Sequence, residues 1–592
     1  PRSRSVAGSF NRATSSASSS TNPRKSPKHT ITKTGGNPVC TEAKLFRLSA
    51  NGKKASDSVS HLLCGMMMVL LLCVQGQESR AKAGPTGADA KVIAHWNVVP
   101  YQAFSRPMTI GVVAFHINGI DRVEFQVNGK PVGSANEMTL NKRTNTNEYW
   151  FTLDPKNFGP ADPENPHLEV EATAYPKSAG VPRQLETILL KVKPEGEGQD
   201  TIVWVSASGN DSTGDGTKSN PFRQPSRALE LLRKTEDDRG HPAFGTIYLT
   251  KGEYSWGSFG KEAPVKHESW ITVSAAPDVA RGDVIFSDDS GGPFITGLLK
   301  VTGVTIRNVF FAPGYSKASY LWLDNVDVIG PGRWSGESFY HASNWGKVFF
   351  TGVRISDSPN GATNLNIARD VKIVDIGSDA FSGSRLVINS EVNGIDRGQT
   401  EAHPDVYQIY CARKSFENYI VYGLIAQNAE AQGIFAAGCE SLDNVAMVNI
   451  LLVRPLGSEA PLFSQWHAPS NHLIFSGISM PNSSFLWRNN EVRNVLIEGS
   501  LFERMKTTFK GYGFAPDAII YRDNHVMSLR GGGMPVDGSD NSEGNPDFAD
   551  GNKGDFRPAP DSPLRGRVKA PFSNVDVYGN PRKVPSTIGA IE

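Results

Sequence analysis

Cysteine is scarce in this chain. Five occur in 592 residues, and only Cys411 and Cys439 lie where the sequence reads as folded. No zinc-ligand spacing forms around them. An excess of either charge is also missing: 61 basic residues face 60 acidic ones, which argues against nucleic acid or an anionic membrane as partner. The apolar run Leu62–Val74, roughly a dozen residues, is short for a membrane span. Long segments of 3.6-residue periodicity are lacking, which excludes a helical repeat. Phosphate-cradling loops and nucleophile elbows are absent. Gly531-Gly532-Gly533 and the run Asp537–Gly554 carry no calcium-loop spacing and read as loops.

What the chain has in quantity is turn chemistry. Gly (58) and Pro (38) suit many short strands. Asp379-Ala380-Phe381, Asp405-Val406-Tyr407, Gln432-Gly433-Ile434-Phe435 and Ala460-Pro461-Leu462-Phe463 align, with starts 26, 27 and 28 residues apart. Between them recur Leu386-Val387-Ile388, Tyr419-Ile420-Val421, Val445–Val448, Leu473-Ile474-Phe475 and Val495-Leu496-Ile497. Most follow an Asn or Asp turn, as at Asn418, Asn444, Asn471 and Asn494. A period in the twenties with short strands predicts stacked β-coils, each burying its inward side chains on the next. Cys411 and Cys439, 28 residues apart, then stack as neighbours, either as a disulfide or as two buried thiols.

Residues 1–60 are rich in Ser, Thr, Lys, Arg and Asn without apolar periodicity, and read as a disordered tail or an over-extended reading frame. A basic flank, the run Leu62–Val74 and Ala81-Lys82-Ala83 make a secretory signal pattern over 61–83, so export is expected. Residues 91–193 alternate as a small antiparallel domain. Its strands are expected at Thr109–Ile117, Val123–Val127, Tyr149–Leu153, His167–Tyr175 and Thr187–Val192, with a hairpin turn at Asn128-Gly129. This run resembles the immunoglobulin-like modules that precede catalytic domains in secreted carbohydrate-active enzymes. That resemblance implies a β-sandwich for spacing, docking or glycan binding.

After the polar linker Pro194–Gln199 come Val203–Val205, the loop Gly209–Thr217, Asn220-Pro221-Phe222 and an apolar-faced helix over Pro225–Lys234 with Ser226 as N-cap. The far end carries Asn545-Pro546-Asp547-Phe548, Gly554-Asp555-Phe556 and Gly579-Asn580-Pro581-Arg582…Ile588-Gly589-Ala590. Both ends resemble secreted right-handed parallel β-helix proteins of the pectate-lyase-like superfamily. The resemblance covers about residues 200 to 592, with the helix capping the open solenoid end. The fold class expected is all-β, a right-handed parallel β-helix preceded by a small β-sandwich. Single strands are expected at Thr246–Tyr254, Gly303–Phe311, Tyr320–Val328, Val348–Ser356 and Val495–Phe502.

Coil-equivalent residues stack at roughly 4.8 Å, so Asp379 and Asp405 are expected side by side on an outward wall. Two such carboxylates cannot both ionise cheaply, which provides an acid and a base. Turn capping is the competing reading. His403 shares the face of Asp405 and titrates near neutrality. Arg397 is placed at the rim, and Gln408, Glu430 and Gln432 offer sugar hydrogen bonds. A lyase needs a substrate carboxylate neutralised and a base. Arg413, Lys414 and His403 supply the base types, while Asp379, Asp396 and Asp405 supply oxygen ligands for Ca2+. Trp466, His467 and Trp487, with Trp334 and Trp345, are read as sugar subsites. The paired-Asp and Gly-His-Gly pattern of pectin hydrolases and the Asp-Pro-His motif of alginate epimerases are absent. The function expected is cleavage of an acidic, algal or plant-type extracellular polysaccharide by a monomer, with lyase chemistry ahead of hydrolysis. The alternative is a non-catalytic glycan-binding or adhesin-like surface protein.

Overall fold

A computed structural model describes residues 86–158, 167–193, 201–234, 245–255, 270–287, 297–308, 320–334, 347–396, 398, 403–457, 463–487, 491–506, 518–528 and 540–592. The expected leader, the N-terminal extension, the linker, Arg397, Trp345 and Gly531-Gly532-Gly533 lie outside the described residues.

Two antiparallel-rich sheets form a sandwich. One joins Ile93–Trp96, Met108–Phe115, Thr146–Leu153 and Thr139–Asn141; the other is built around Ile188–Val192, His167–Pro176, Ile120–Val127 and Lys130–Ala135. Alternating residues such as Val112, Val123, Phe125, Val170 and Leu190 fill the space between them. Asn128 and Gly129 both have positive φ (50° and 71°) and Val127 pairs with Lys130, the two-residue turn that matches strand twist.

From Thr201 onward a 27-stranded, parallel-paired sheet winds into a β-helix. Helix α1 (Pro225–Lys234) covers its first coil, with Ala228, Leu229 and Leu232 joining Val203, Val205 and Phe222 in the core. The helix starts at Pro225, so Ser226 lies in its first turn instead of capping it. Proline suits that first position because its missing N–H has no intrahelical acceptor there.

Most of the single strands expected from sequence are each broken in two by a corner. The reason is a ladder of left-handed residues. Gly303, Asn325, Gly352, Asp370, Asn389, Gly423, Asn449, Gly477, Gly499 and Asp523 each follow residues paired in register on adjacent coils, and all have φ between 46° and 74°. Only Gly, Asn and Asp enter that region at low cost, so their recurrence sets where each coil bends. A second ladder lies within the strands, just before the paired residues Tyr419, Val445, Leu473 and Val495: Asn418, Asn444, His472 and Asn494, again all at positive φ. The third rung is His472, not the neighbouring Asn471.

Each coil presents three walls. On the first, outward side chains of Trp270, Leu298, Trp322, Phe349, Ile388, Ile420, Tyr422 and Val448 pack against Ile93, Val99, Val113 and Phe115 of the sandwich. Strands there are apolar on both faces because both faces are buried. Asn418 pairs with the Ala94 backbone, Trp270 Nε1 donates to the Pro100 carbonyl at 2.7 Å, and Arg369 Nη1 donates to Asn97 Oδ1 at 2.7 Å. The sandwich is therefore docked along the solenoid. The second wall carries the closing segment: Ala590 and Ile591 cover Leu451, and Arg582 Nη2 donates to Asn449 Oδ1 at 3.1 Å. The third wall is built from Ala362–Thr363, Phe381–Ser382, Asp405–Tyr410, Gln432–Ala437 and Phe463–Trp466. Among the described residues, neither the sandwich nor the closing segment forms an apolar cluster on it.

Candidate functional site on the third wall

Phe381, Tyr407, Ile434, Ala436 and Trp466 point inward and belong to the solenoid core. Thr363, Ser382, Gln408, Phe435 and Gln465 occupy equivalent positions of successive coils. Asp405 pairs with Gln432, and the Ala380 N–H donates to the Asp405 carbonyl at 2.9 Å, so Asp379 lies one coil below. The fourth aligned segment slips by two residues. Phe435 pairs with Gln465 and not with Phe463.

The turn that delivers Asp379 is tightly held. Asp375, Gly394 and Asn428 bend three coils at φ 53°, 83° and 52° just before the wall begins. Gly361 donates its N–H to the Asp379 carbonyl at 2.8 Å, and a Cβ on Gly361 would sit 2.1 Å from the Ala380 carbonyl oxygen. Only glycine allows that approach.

The two carboxyls differ in setting. The Asp405 N–H donates to Asp379 Oδ1 at 2.9 Å. Asp379 is half-buried, whereas Asp405 is 1% exposed, so the expectation of two outward acids holds only for Asp379. Gln408 Nε2 donates to Asp405 Oδ2 at 2.8 Å, and Asp405 Oδ1 is buried with no partner. Burial raises Asp379 to about 6, against the pull of the Asp405 N–H. Burial and then the neighbouring Asp379 charge raise Asp405 to about 8, with Gln408 opposing. The two titrate as a coupled pair, and the deeper burial of Asp405 favours the shared proton there.

From this pair a polar row runs up the wall. Gln465 Nε2 donates to Gln432 Oε1 at 3.1 Å, and His467 Nε2 bonds Gln465 Oε1 at 3.0 Å, which requires the imidazole to donate there. Phe435 lies alongside, its ring centroid 5.9 Å from that of His467. Ser382, Phe435 and Gln465 were not singled out from the sequence. Their signal was register alone, since each sits one coil from a residue that was.

The remaining candidates divide. His403 is exposed, just before the buried Pro404 that leads into Asp405. Glu430 is half-buried at the corner, and its N–H donates to the Ile395 carbonyl at 2.8 Å. Arg413 and Lys414 are not brought to the pair. They sit beyond Tyr410, roughly 16 Å along the strand from Asp405 at about 3.3 Å per residue. There Ala412 and Arg413 make a left-handed turn beside the Cys411–Cys439 disulfide. Trp466 and Trp487 are corrections. They are 0% and 1% exposed, packed edge-on against Phe475 in the core, and offer no face to a sugar. Trp334 is 58% exposed, with the Arg333 guanidinium 5.0 Å from its ring centroid and its Nε1 donating to the Asp396 carbonyl at 3.1 Å.

Asp396 does not join the other two acids as a Ca2+ cage. Its carboxylate accepts from the Gly398 N–H at 2.8 Å and pairs with Arg333 at 3.5 Å. Among the described residues no group of three or more His, Cys, Asp or Glu side chains converges so as to hold a metal ion. Comparison with protein-family models, curated proteins and solved structures finds no match to this chain.

Proposed function

We propose that the third wall cleaves an extended acidic polysaccharide, with Asp379 as the general acid/base that meets the glycosidic bond. One observation carries this reading: two carboxyls on adjacent coils, joined by the Asp405 N–H to Asp379 Oδ1 bond, stand one coil from the hydrogen-bonded polar group Gln432, Gln465 and His467. A carboxyl titrating near 6 exchanges protons at neutral pH, as glycosidic oxygen protonation requires. Buried Asp405 acts as a positioning residue. Its N–H holds Asp379, and its own neutral carboxyl leaves Asp379 the sole charge of the pair.

Ser382, Gln408, Gln432 and His467, each partly exposed, offer hydroxyl partners to successive sugars, with about 4.8 Å per coil. Arg413 and Lys414, exposed at the wall's far edge, suit carboxylate or sulfate groups on the polymer. The disulfide supports an exported protein, as the leader pattern does. The pectate-lyase-like resemblance of the two chain ends supports the same substrate class. Hydrolysis ranks above elimination here because the strong bases assigned to a lyase lie far from the pair. Elimination is retained through exposed His403, two residues from Asp405.

The test is incubation with a panel of acidic polysaccharides, following reducing ends and the absorbance of unsaturated uronates. New reducing ends without that absorbance, lost in Asp379→Asn, support hydrolysis; absorbance lost in His403→Ala supports elimination. Tight polysaccharide binding with neither signal would establish a binding protein instead.

A further inference from the structure

A second site lies away from the third wall, where the sandwich meets the first wall. A cavity of about 340 Å3 opens there, within the range of small-ligand pockets. His95, Arg385, Asn366, Phe349, Ile367 and Glu186 are among its lining residues. Phe349 and Ile367 are 2% and 3% exposed and make a fixed apolar floor.

The charges around it do not cancel. Arg183 is paired with Glu417 at 3.1 Å, and Glu186 is paired with Lys347. Arg385 donates from Nη1 to the Glu417 carbonyl at 3.3 Å and lies 5.4 Å from the Tyr419 ring centroid, but among the described residues no carboxylate pairs with it. One positive charge is therefore left facing the cavity. His95 Nε2 meets the Asn418 carbonyl at 2.6 Å and must donate to it, which leaves Nδ1 bare as an acceptor. Asn366 uses Oδ1 to accept the Val348 N–H at 3.0 Å, leaving its NH2 as a donor.

A guanidinium, a bare imidazole acceptor, an amide donor and an apolar floor complement a molecule with one carboxylate, neighbouring hydroxyls and an apolar ring face. We infer that this junction cavity binds a single sugar acid, a uronate residue, separately from the Asp379–Asp405 pair. The ligand touches both layers, so it also strengthens their docking. Nothing in this assignment depends on the reaction at the third wall.

The experiment is calorimetric titration of the full chain carrying Asp405→Asn with D-glucuronate, D-glucose and acetate at matched ionic strength. Saturable glucuronate binding is expected, with glucose and acetate each at least about tenfold weaker, and a further loss of about tenfold on adding Arg385→Met. Absent glucuronate binding, acetate binding of equal strength, or an unchanged affinity in Arg385→Met overturns the assignment. Should Arg385→Met fold poorly, amide hydrogen exchange on the unsubstituted chain decides. Glucuronate protection at Ala94 and Leu185 supports the site; protection confined to the Asp405 strand, or none, rejects it.

Discussion

Asn418 pairs with Ala94 as a neighbouring strand would. Its Oδ1 accepts the Ala94 N–H at 3.0 Å and its Nδ2 donates to the Ala94 carbonyl at 2.9 Å. The same residue bends the solenoid at φ 68°. One side chain thus joins the corner geometry of a coil to the seating of the sandwich.

Asn418→Gly keeps the bend and removes both hydrogen bonds. It is expected to lower stability by about 2 kcal/mol, since two partly buried backbone groups lose their partners. Chemical denaturation checks this. A midpoint equal to that of the unsubstituted chain would show that the sandwich is seated by its apolar face alone.

The docking surface also predicts acid sensitivity. Burial holds His472 down to about 3 and His95 down to about 4. His472 Nε2 accepts the Ile117 N–H at 3.1 Å and Nδ1 faces the Lys91 carbonyl at 2.9 Å, an arrangement only the neutral ring can make. Folded values below the unfolded value of about 6.5 mean the stabilisation is complete above that pH and is lost as pH falls towards the folded values. At pH 5 fully buried His472 alone costs about 2 kcal/mol. Thermal melts from pH 7 to pH 4 should fall, and His472→Asn, which tolerates the left-handed corner, should flatten the profile.

The Asp pair has the opposite sign. Asp405 binds its proton more tightly folded than unfolded, so its contribution is greatest at low pH and is lost as pH rises towards about 8. Asp405→Asn should therefore melt higher than the unsubstituted chain at pH 8, with the gap closing towards pH 4, while turnover drops. An equal or lower melting temperature at pH 8 would mean that Asp405 is not strained by burial.

Much of the solenoid was legible because its corners demand Gly, Asn or Asp, and those residues recur at coil spacing. The Cys411 and Cys439 stacking followed from the same period, although only the structure chose the disulfide over free thiols. Legibility failed where two physical demands look alike in sequence. Leu386 and Ile388 point out from their coil and Val387 points in, yet all three are apolar because the sandwich buries the outer face. Trp466 and Trp487 read as sugar platforms because inward and outward tryptophans share one letter, and only the register turns them inward. Asp405 read as outward because strand alternation does not apply at a corner, and it is there that the chain enters the wall.

Those tryptophans give a clean contrast. Trp487→Ala should cost about 3–5 kcal/mol by opening a core cavity. Trp334→Ala should leave stability within about 0.5 kcal/mol, since the ring is largely exposed. Any loss of polysaccharide affinity belongs with Trp334. Affinity lost in a folded Trp487 variant would contradict its placement in the core.

Removing the disulfide closing the 28-residue span from Cys411 to Cys439 should cost about 3.6 kcal/mol on a loop-entropy basis. The double variant Cys411→Ala/Cys439→Ala, compared by denaturation with the oxidised chain, measures it. A matching midpoint would show that the Ala412-Arg413 turn holds without the bridge.

Infrared difference spectroscopy at pH 7, comparing the unsubstituted chain with Asp405→Asn, addresses the one-proton pair most directly. A protonated-carboxyl band that vanishes in the variant, and fades in the unsubstituted chain above pH 8, is the predicted result. Spectra showing no such band would mean that Asp405 is ionised at neutral pH and that Asp379 is not the sole charge of the pair.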